Sequence, residues 1–272
     1  MKKIVFSFIA MFLCLALTAC SSSPKENKEA QKKELLIYCG ITMVKPIKEL
    51  ADRFEKTHNC KVTITQGGSK DLYESLKTSK QGDLYFPGSL SYRENNIADG
   101  LLKDGVYLGY NVAAIVVKKG NPKNISSSLD NFTNKNLSVV LCNPDTGSIG
   151  NETKKVLESY GNYEAAIKNA VLLTTDSRNL TKAIKDGQAD VVLNWRATTF
   201  WEDNKEITEA IAIDEKYAKK ATLVLNLLSF SQNQDLAKEF MNFASSKDGK
   251  TVFYEFGFLN KDEIDAPRKE YK

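Results

Sequence analysis

Gln66-Gly67-Gly68-Ser69-Lys70-Asp71-Leu72-Tyr73-Glu74-Ser75-Leu76, continuing through Lys77-Thr78-Ser79-Lys80-Gln81-Gly82 to Asp83-Leu84-Tyr85-Phe86-Pro87-Gly88-Ser89, is the stretch around which the chain is organised. Residues 61–65, just before it, alternate like a strand, and Leu72 and Leu76 fall on one helical face that stops near Gly82. Residues 83–86 form another short strand, closed by Pro87-Gly88. Gly67 and Gly68 permit backbone shapes that a side chain would block, and Ser69 is a good N-cap. The first amides of the helix that follows have no internal partner and lie at the positive end of its dipole, a setting that suits an anion. Two readings stand side by side, a tight turn before a helix and an anion site. Taken alone, the stretch favours the turn.

Outward from it, strands and helices alternate. Residues 35–39 are a continuous apolar run, as expected of a strand buried on both faces. Gly40-Ile41-Thr42 breaks it, and a helix follows with Ile47, Leu50, Ala51 and Phe54 at helical spacing and Pro46 in its first turn. Downstream, strand-like runs lie at 106–110, 113–117, 137–142, 171–174, 190–194 and 223–228. Helical spacing appears at 151–160, 163–169 and 179–186, then around Leu236, Phe240, Phe243 and Ala244, and last before Phe256-Gly257-Phe258. This order marks an α/β fold, mainly parallel sheets covered by helices. Residues 111–123 run from an extended stretch into a polar turn and read as a crossing between two lobes, with a return near 213–223. The first lobe is therefore expected at 35–112 and 222–272, the second at 113–221.

At the other end, Lys2 and Lys3 precede an apolar run of about 14 residues, too short for the ~20 a membrane span needs, and then Leu17-Thr18-Ala19-Cys20. This looks like the lipobox of a bacterial lipoprotein, which implies a signal peptide at 1–19 and lipid attachment at Cys20. Residues 20–34 hold no apolar anchor and read as a flexible tether. The expectation is an extracytoplasmic domain held to the cell membrane by a lipid.

The formal charge is +4, and loss of Lys2 and Lys3 with the signal leaves about +2. With no basic stripe interleaved with aromatics, nucleic acid is set aside as a partner. Cys39, Cys60 and Cys142 are the cysteines left after Cys14 and Cys20. Their odd number and spacing encode neither a disulfide framework nor a metal site. Cys39 and Cys142 end apolar strands beside loops, so they read first as core thiols, with ligation of a thiophilic species such as arsenite as a minor alternative. His58, the single histidine, sits at a helix end and reads as a solvated C-terminal residue. A nucleophile elbow and a phosphate-binding Gly-Lys-Ser loop are both missing from the sequence, so an enzyme is not expected, nor is a cofactor.

Read in order, several motifs carry a family resemblance. They are Tyr38-Cys39-Gly40-Ile41-Thr42, Gly67-Gly68-Ser69, Gly82-Asp83-Leu84-Tyr85, Asn143 to Gly150, Gly187-Gln188-Ala189-Asp190 with Asn194-Trp195, and Phe240 with Tyr254 to Phe258. From Leu35 to Phe258 the chain resembles the type II periplasmic substrate-binding proteins, especially the molybdate/tungstate-binding branch of ABC importers. The resemblance implies the two-lobed type II fold with two hinge crossings. It also implies a monomer that captures a small oxyanion between its lobes and hands it to a membrane permease. Other anions (sulfate, phosphate, an arsenic oxyanion, a small organic acid) stay open, as does a ligand-sensing subunit of a signalling system.

Carried over by position, the resemblance implies ligand contacts from Thr42, Gly68, Ser69, Ser148, Ile149 through its backbone amide, Ser177 and Trp195. Thr42 stands where the branch has a serine. Ile149 replaces a small residue, and Trp195 replaces a tyrosine, so that an indole N–H stands in for a hydroxyl. Arg178 and Arg196 both fall at strand-to-helix corners. Each either grips the oxyanion bidentately or pairs with a carboxylate such as Asp176, Asp190 or Glu202; the readings are even for Arg178, and pairing leads for Arg196. Arg93 is a weaker cleft candidate.

Overall fold

Residues 32–272 are described by the computed structural model, so Cys20, the signal peptide and most of the tether lie outside the described residues. The chain enters β1 (Lys33–Gly40), whose Leu35, Ile37 and Cys39 are fully buried. A 3-10 turn at Ile41–Met43 leads into α1 (Val44–Thr57), which presses Ile47, Leu50 and Phe54 onto the sheet. Then come β2 (Cys60–Gly67), α2 (Ser69–Ser79), β3 (Leu84–Phe86), the short α3 (Ser91–Asn96) and β4 (Leu102–Asn111). Only Val112 separates β4 from β5 (Ala113–Lys118), after which follow β6 (Val139–Cys142), α4 (Ser148–Tyr160), α5 (Tyr163–Asn169) and β7 (Ala170–Thr174). α6 (Ser177–Lys185), β8 (Val191–Trp195) and β9 (Thr208–Ala212) complete the second half. β10 (Ala221–Leu228), α7 (Gln234–Ala244), α8 (Lys247–Glu255) and β11 (Glu270–Tyr271) return to the first.

These strands make two sheets, one per lobe. The first has the order β11-β4-β10-β3-β1-β2, the second β7-β6-β8-β5-β9. In the second sheet β6 runs parallel to β7 and β8, and only β5 opposes its neighbours. In the first, β1 is parallel to β2 and β3, while β10 opposes β3 and β4, and edge strand β11 opposes β4. Both sheets are thus mixed, and the main reversals belong to strands next to the crossings. β5 has just arrived in its lobe and β10 has just come back to its own.

Each sheet has its own core. Phe54, Phe86, Phe240, Phe253 and Phe258 fill the first; Ile115, Phe132, Val156, Leu180 and Trp195 fill the second. The outward crossing is tighter than the sequence suggests, one residue rather than a segment within 111–123, because residues 113–118 are already paired with β8 and β9. The return takes residues 213–220 and re-enters with Ala221 opposite Asn111, so both crossings sit side by side. Among the described residues, no helix is long and apolar enough to cross a membrane.

Candidate functional site

Parallel strands feeding helices put their C-terminal ends, and the helix starts that follow, along one edge. Here two such edges face each other. From the first lobe come Gly40 to Met43 ahead of α1, and Gly67 to Ser69 at the start of α2. The second lobe contributes Gly147 to Ile149 at the start of α4, and Asp176-Ser177 at the start of α6. Together with Gly88 they enclose one cavity of about 10 Å³, room for about one water. The lobes touch directly there, with Thr42 Oγ1 3.0 Å from Ser177 Oγ.

Four hydroxyls converge on this cavity. Thr42, Ser69 and Ser177 are almost fully buried. Ser69 is the first residue of α2 rather than its cap: Gly68 occupies the N-cap, and the Ser69 hydroxyl accepts the Gly88 N–H at 3.0 Å. The expected capping role is therefore wrong, because the end of β3 brings a stronger claimant to that oxygen, while Tyr85 donates to the Ser69 carbonyl at 2.7 Å. Ser148 Oγ accepts the Trp195 indole N–H at 3.4 Å. Trp195 itself is fully buried in the second core and meets the cavity through Ser148, not directly. Ile149 lines the cavity while its side chain packs into the same core. The first helical bond of α4 is Asn151 N–H to Gly147 O, so the amides of Ser148, Ile149 and Gly150 have no partner within the helix.

The electrostatics rest on backbone dipoles. No lysine or arginine lines the cavity, and Asp176 is its one charged residue. That carboxylate caps α6, taking the N–H groups of Arg178 (2.9 Å) and Asn179 (3.0 Å), so the dipole of α6 is already matched by a negative charge. Behind Ser177, Asn194 donates to the Ser177 carbonyl (2.9 Å) and to Thr181 Oγ1 (3.1 Å), fixing how α6 begins. On the first lobe, Asn111 donates to the Gly88 carbonyl at 3.0 Å, and its own side-chain oxygen is buried with no partner.

The arginines lie elsewhere. Arg178 is exposed, and its guanidinium donates to Gln66 Oε1 at 2.7 Å across the lobes; it neither lines the cavity nor pairs with Asp176. Arg196 donates to the Gly257 carbonyl at 3.1 Å and borders a separate groove, without Asp190 or Glu202 as partner. Arg93 is buried in the first lobe, bound to Lys103 O and Asn226 Oδ1, both at 2.7 Å. None of the three reaches the cavity.

The thiols are not at the cavity either. Cys39, Cys60 and Cys142 are buried and unbridged. Burial pushes the Cys142 thiol up to about 12, with hydrogen bonding from Thr174 acting the other way, and it raises Cys39 further. Cys39 and Cys60 belong to the first core and Cys142 to the second, and none lines the cavity, so they do not gather into one ligand set there. His58 caps the end of α1 and stacks on Phe54 at 3.7 Å between ring centroids. Sequence reasoning took Gly88 only as a strand stop, Asp176 only as a partner for an arginine and Asn194 only as part of a motif, and it passed over Asn111. Asp176 had a visible signal, an acidic residue just ahead of a helical pattern.

A family model described as bacterial extracellular solute-binding protein matches residues 35–259. A Haemophilus influenzae protein whose name goes no further than binding protein is 21% identical over 243 residues, 89% of this chain and 98% of its own. Among solved structures, the Azotobacter vinelandii periplasmic molybdate-binding protein superposes with a TM-score of 0.72 at 14% identity, over 83% of this chain and 99% of that one. PEB3 of Campylobacter jejuni, in a structure with L-phospholactate bound, gives a TM-score of 0.64 at 20% identity, over 83% and 99%. These likenesses establish a shared two-lobed fold.

Proposed function

Because the chain belongs to the bacterial extracellular solute-binding proteins, we propose that it captures an oxyanion, molybdate- or tungstate-like in shape, between its lobes and delivers it to the permease of an ABC importer. The observation that carries this reading is the meeting of four helix starts, two per lobe, with the hydroxyls of Thr42, Ser69, Ser148 and Ser177 at one cavity. Unpaired first-turn amides and hydroxyls are the donors an oxyanion needs, and burial between the lobes strengthens each of them. The anion relies on the helix starts other than that of α6, whose dipole Asp176 already matches.

In this reading Gly68 and the Ile149 amide bring backbone close to the anion, and Trp195 holds the Ser148 hydroxyl in place. Neighbours are named for molybdate, L-phospholactate and sulfate, which all hold oxygens about a tetrahedral centre and support an oxyanion as the recognised group, while another neighbour is named for thiamin. We also propose anchoring through a lipid at Cys20, a monomer in solution, and lobe boundaries at the two crossings. The test is calorimetry against molybdate, tungstate, sulfate, phosphate and arsenate. One of them should bind with one-to-one stoichiometry, and more weakly when Thr42 or Ser177 is changed to Val or Ala. Failure of every oxyanion to bind overturns the reading.

A further inference from the structure

A second cavity adjoins the first, with Ile41 in the wall of both. At about 340 Å³ it is far larger and falls at the lower end of volumes that hold small organic ligands. It too is bounded by both lobes. Lys45 of α1 faces Arg178, Lys182 and Lys185 of α6, and Trp201 and Asp203 close it. Four cations thus line it against one carboxylate. Lys45 and Lys185 share Asp203, the latter at 3.5 Å, while Lys182 pairs with Asp186 outside the cavity. Among the described residues, Arg178 has only the neutral Gln66 oxygen as its side-chain partner.

Trp201 supplies the decisive detail. It is only 3% exposed, its indole N–H is buried with no acceptor among the described residues, and the Lys45 ammonium stands 5.1 Å from its ring centroid. A buried donor left unpaired beside an excess of cations is a place for an anionic acceptor. The reach between the cavities is short. Ser177 lines the first and Thr181 the second, four residues apart, or about 6 Å along α6.

We propose that the second cavity receives a second anionic group of the same cargo. The substrate class is then a small acid with two charged ends, phosphoryl or carboxylate, joined by a spacer of about three or four bonds. One end sits at the helix starts. The other faces Arg178, Lys45 and Lys185 beside the Trp201 side chain. This rests on the oxyanion reading of the first cavity and deepens it.

The experiment is calorimetry of the full-length protein with inorganic phosphate, phosphoglycolate and 3-phosphonopropionate, beside the inorganic panel already named. At least one two-ended acid should bind ten times more tightly than phosphate or more. The double variant Arg178→Gln/Lys185→Gln, both exposed or part-exposed positions, should bring that ratio close to one. In parallel, the indole N–H resonance of Trp201, assigned with Trp201→Phe, should move with the two-ended acid and stay in place with phosphate. If bare oxyanions bind as tightly as the two-ended acids, or the double variant keeps the ratio, this inference is overturned and the oxyanion reading stands. If no anion of either kind binds, both fall.

Discussion

Gly68→Ala is the sharpest probe of how the lobes meet. Gly68 has φ −63° and ψ 142°, ordinary values for any residue, so alanine brings no backbone strain. Its methyl group, however, would stand 2.3 Å from the Thr146 carbonyl oxygen and 3.2 Å from Asp71 Oδ2. An ordinary carbon–oxygen contact is about 3.4 Å, so the first lobe must back away from the Thr146 loop by roughly 1 Å. Across the same seam Thr42 Oγ1 and Ser177 Oγ are 3.0 Å apart, and that much separation takes hydroxyl contacts beyond hydrogen-bonding distance. An anion held from both sides then loses one lobe's donors. Two charged hydrogen bonds at about 1.5–3 kcal/mol each amount to some two to four powers of ten in affinity. The ligand-free protein should hardly notice, since Gly and Ala at an N-cap differ by about 1 kcal/mol or less. Calorimetry with the oxyanion that the wild type binds gives the first number, and thermal unfolding without ligand gives the second. An unchanged dissociation constant for Gly68→Ala would refute the view that binding requires the contact geometry seen here.

Ser69→Ala removes the acceptor of the Gly88 N–H along with a cavity hydroxyl, so affinity should fall about 10- to 100-fold and unfolding should come earlier by about 1–3 kcal/mol; wild-type affinity for every oxyanion would count against the site. Small-angle scattering should show a smaller radius of gyration with bound ligand, as hinge closure requires, and an unchanged profile at saturation would argue against closure. The Cys142 thiol is held protonated to about 12, so its contribution is complete below the ordinary thiol range and is lost as pH rises through it. The stability difference between wild type and Cys142→Ser should therefore shrink between about pH 9 and pH 12, and a flat difference would contradict it. Cys20→Ala should abolish lipid attachment, with mass spectrometry of the wild-type protein showing the lipid.

Most of the fold is written in runs of apolar residues. Residues 35–39 and 139–142 are unbroken because both faces of those strands are covered, and α5 emerges with the limits its spacing suggests. The elements that escaped are those with little apolar content to betray them. β9 is half-buried along most of its length, and β11 is two residues held to β4 by backbone pairing. The single-residue crossing at Val112 was hidden by its own sequence, since β4 and β5 form one continuous extended stretch and only pairing to different sheets separates them.

At the cavity the small residues were legible and the charged ones were not, for a geometric reason. Glycines and hydroxyls at strand-to-helix corners mark where backbone must come close, and Gly68, Ser69, Ser148 and Ser177 all lie at such corners. An arginine next in sequence to one of them inherits no such position. Successive side chains on a helix point about 100° apart, so with Ser177 turned into the seam, Arg178 is carried round to the neighbouring cavity and to Gln66. Arg196 is led away in the same manner, by the 3-10 turn at Arg196–Phe200 that follows β8, toward the Gly257 carbonyl. Proximity in sequence therefore identified the corner but not the direction. Direction depends on which turn of backbone follows the strand, and that is settled by packing between the lobes.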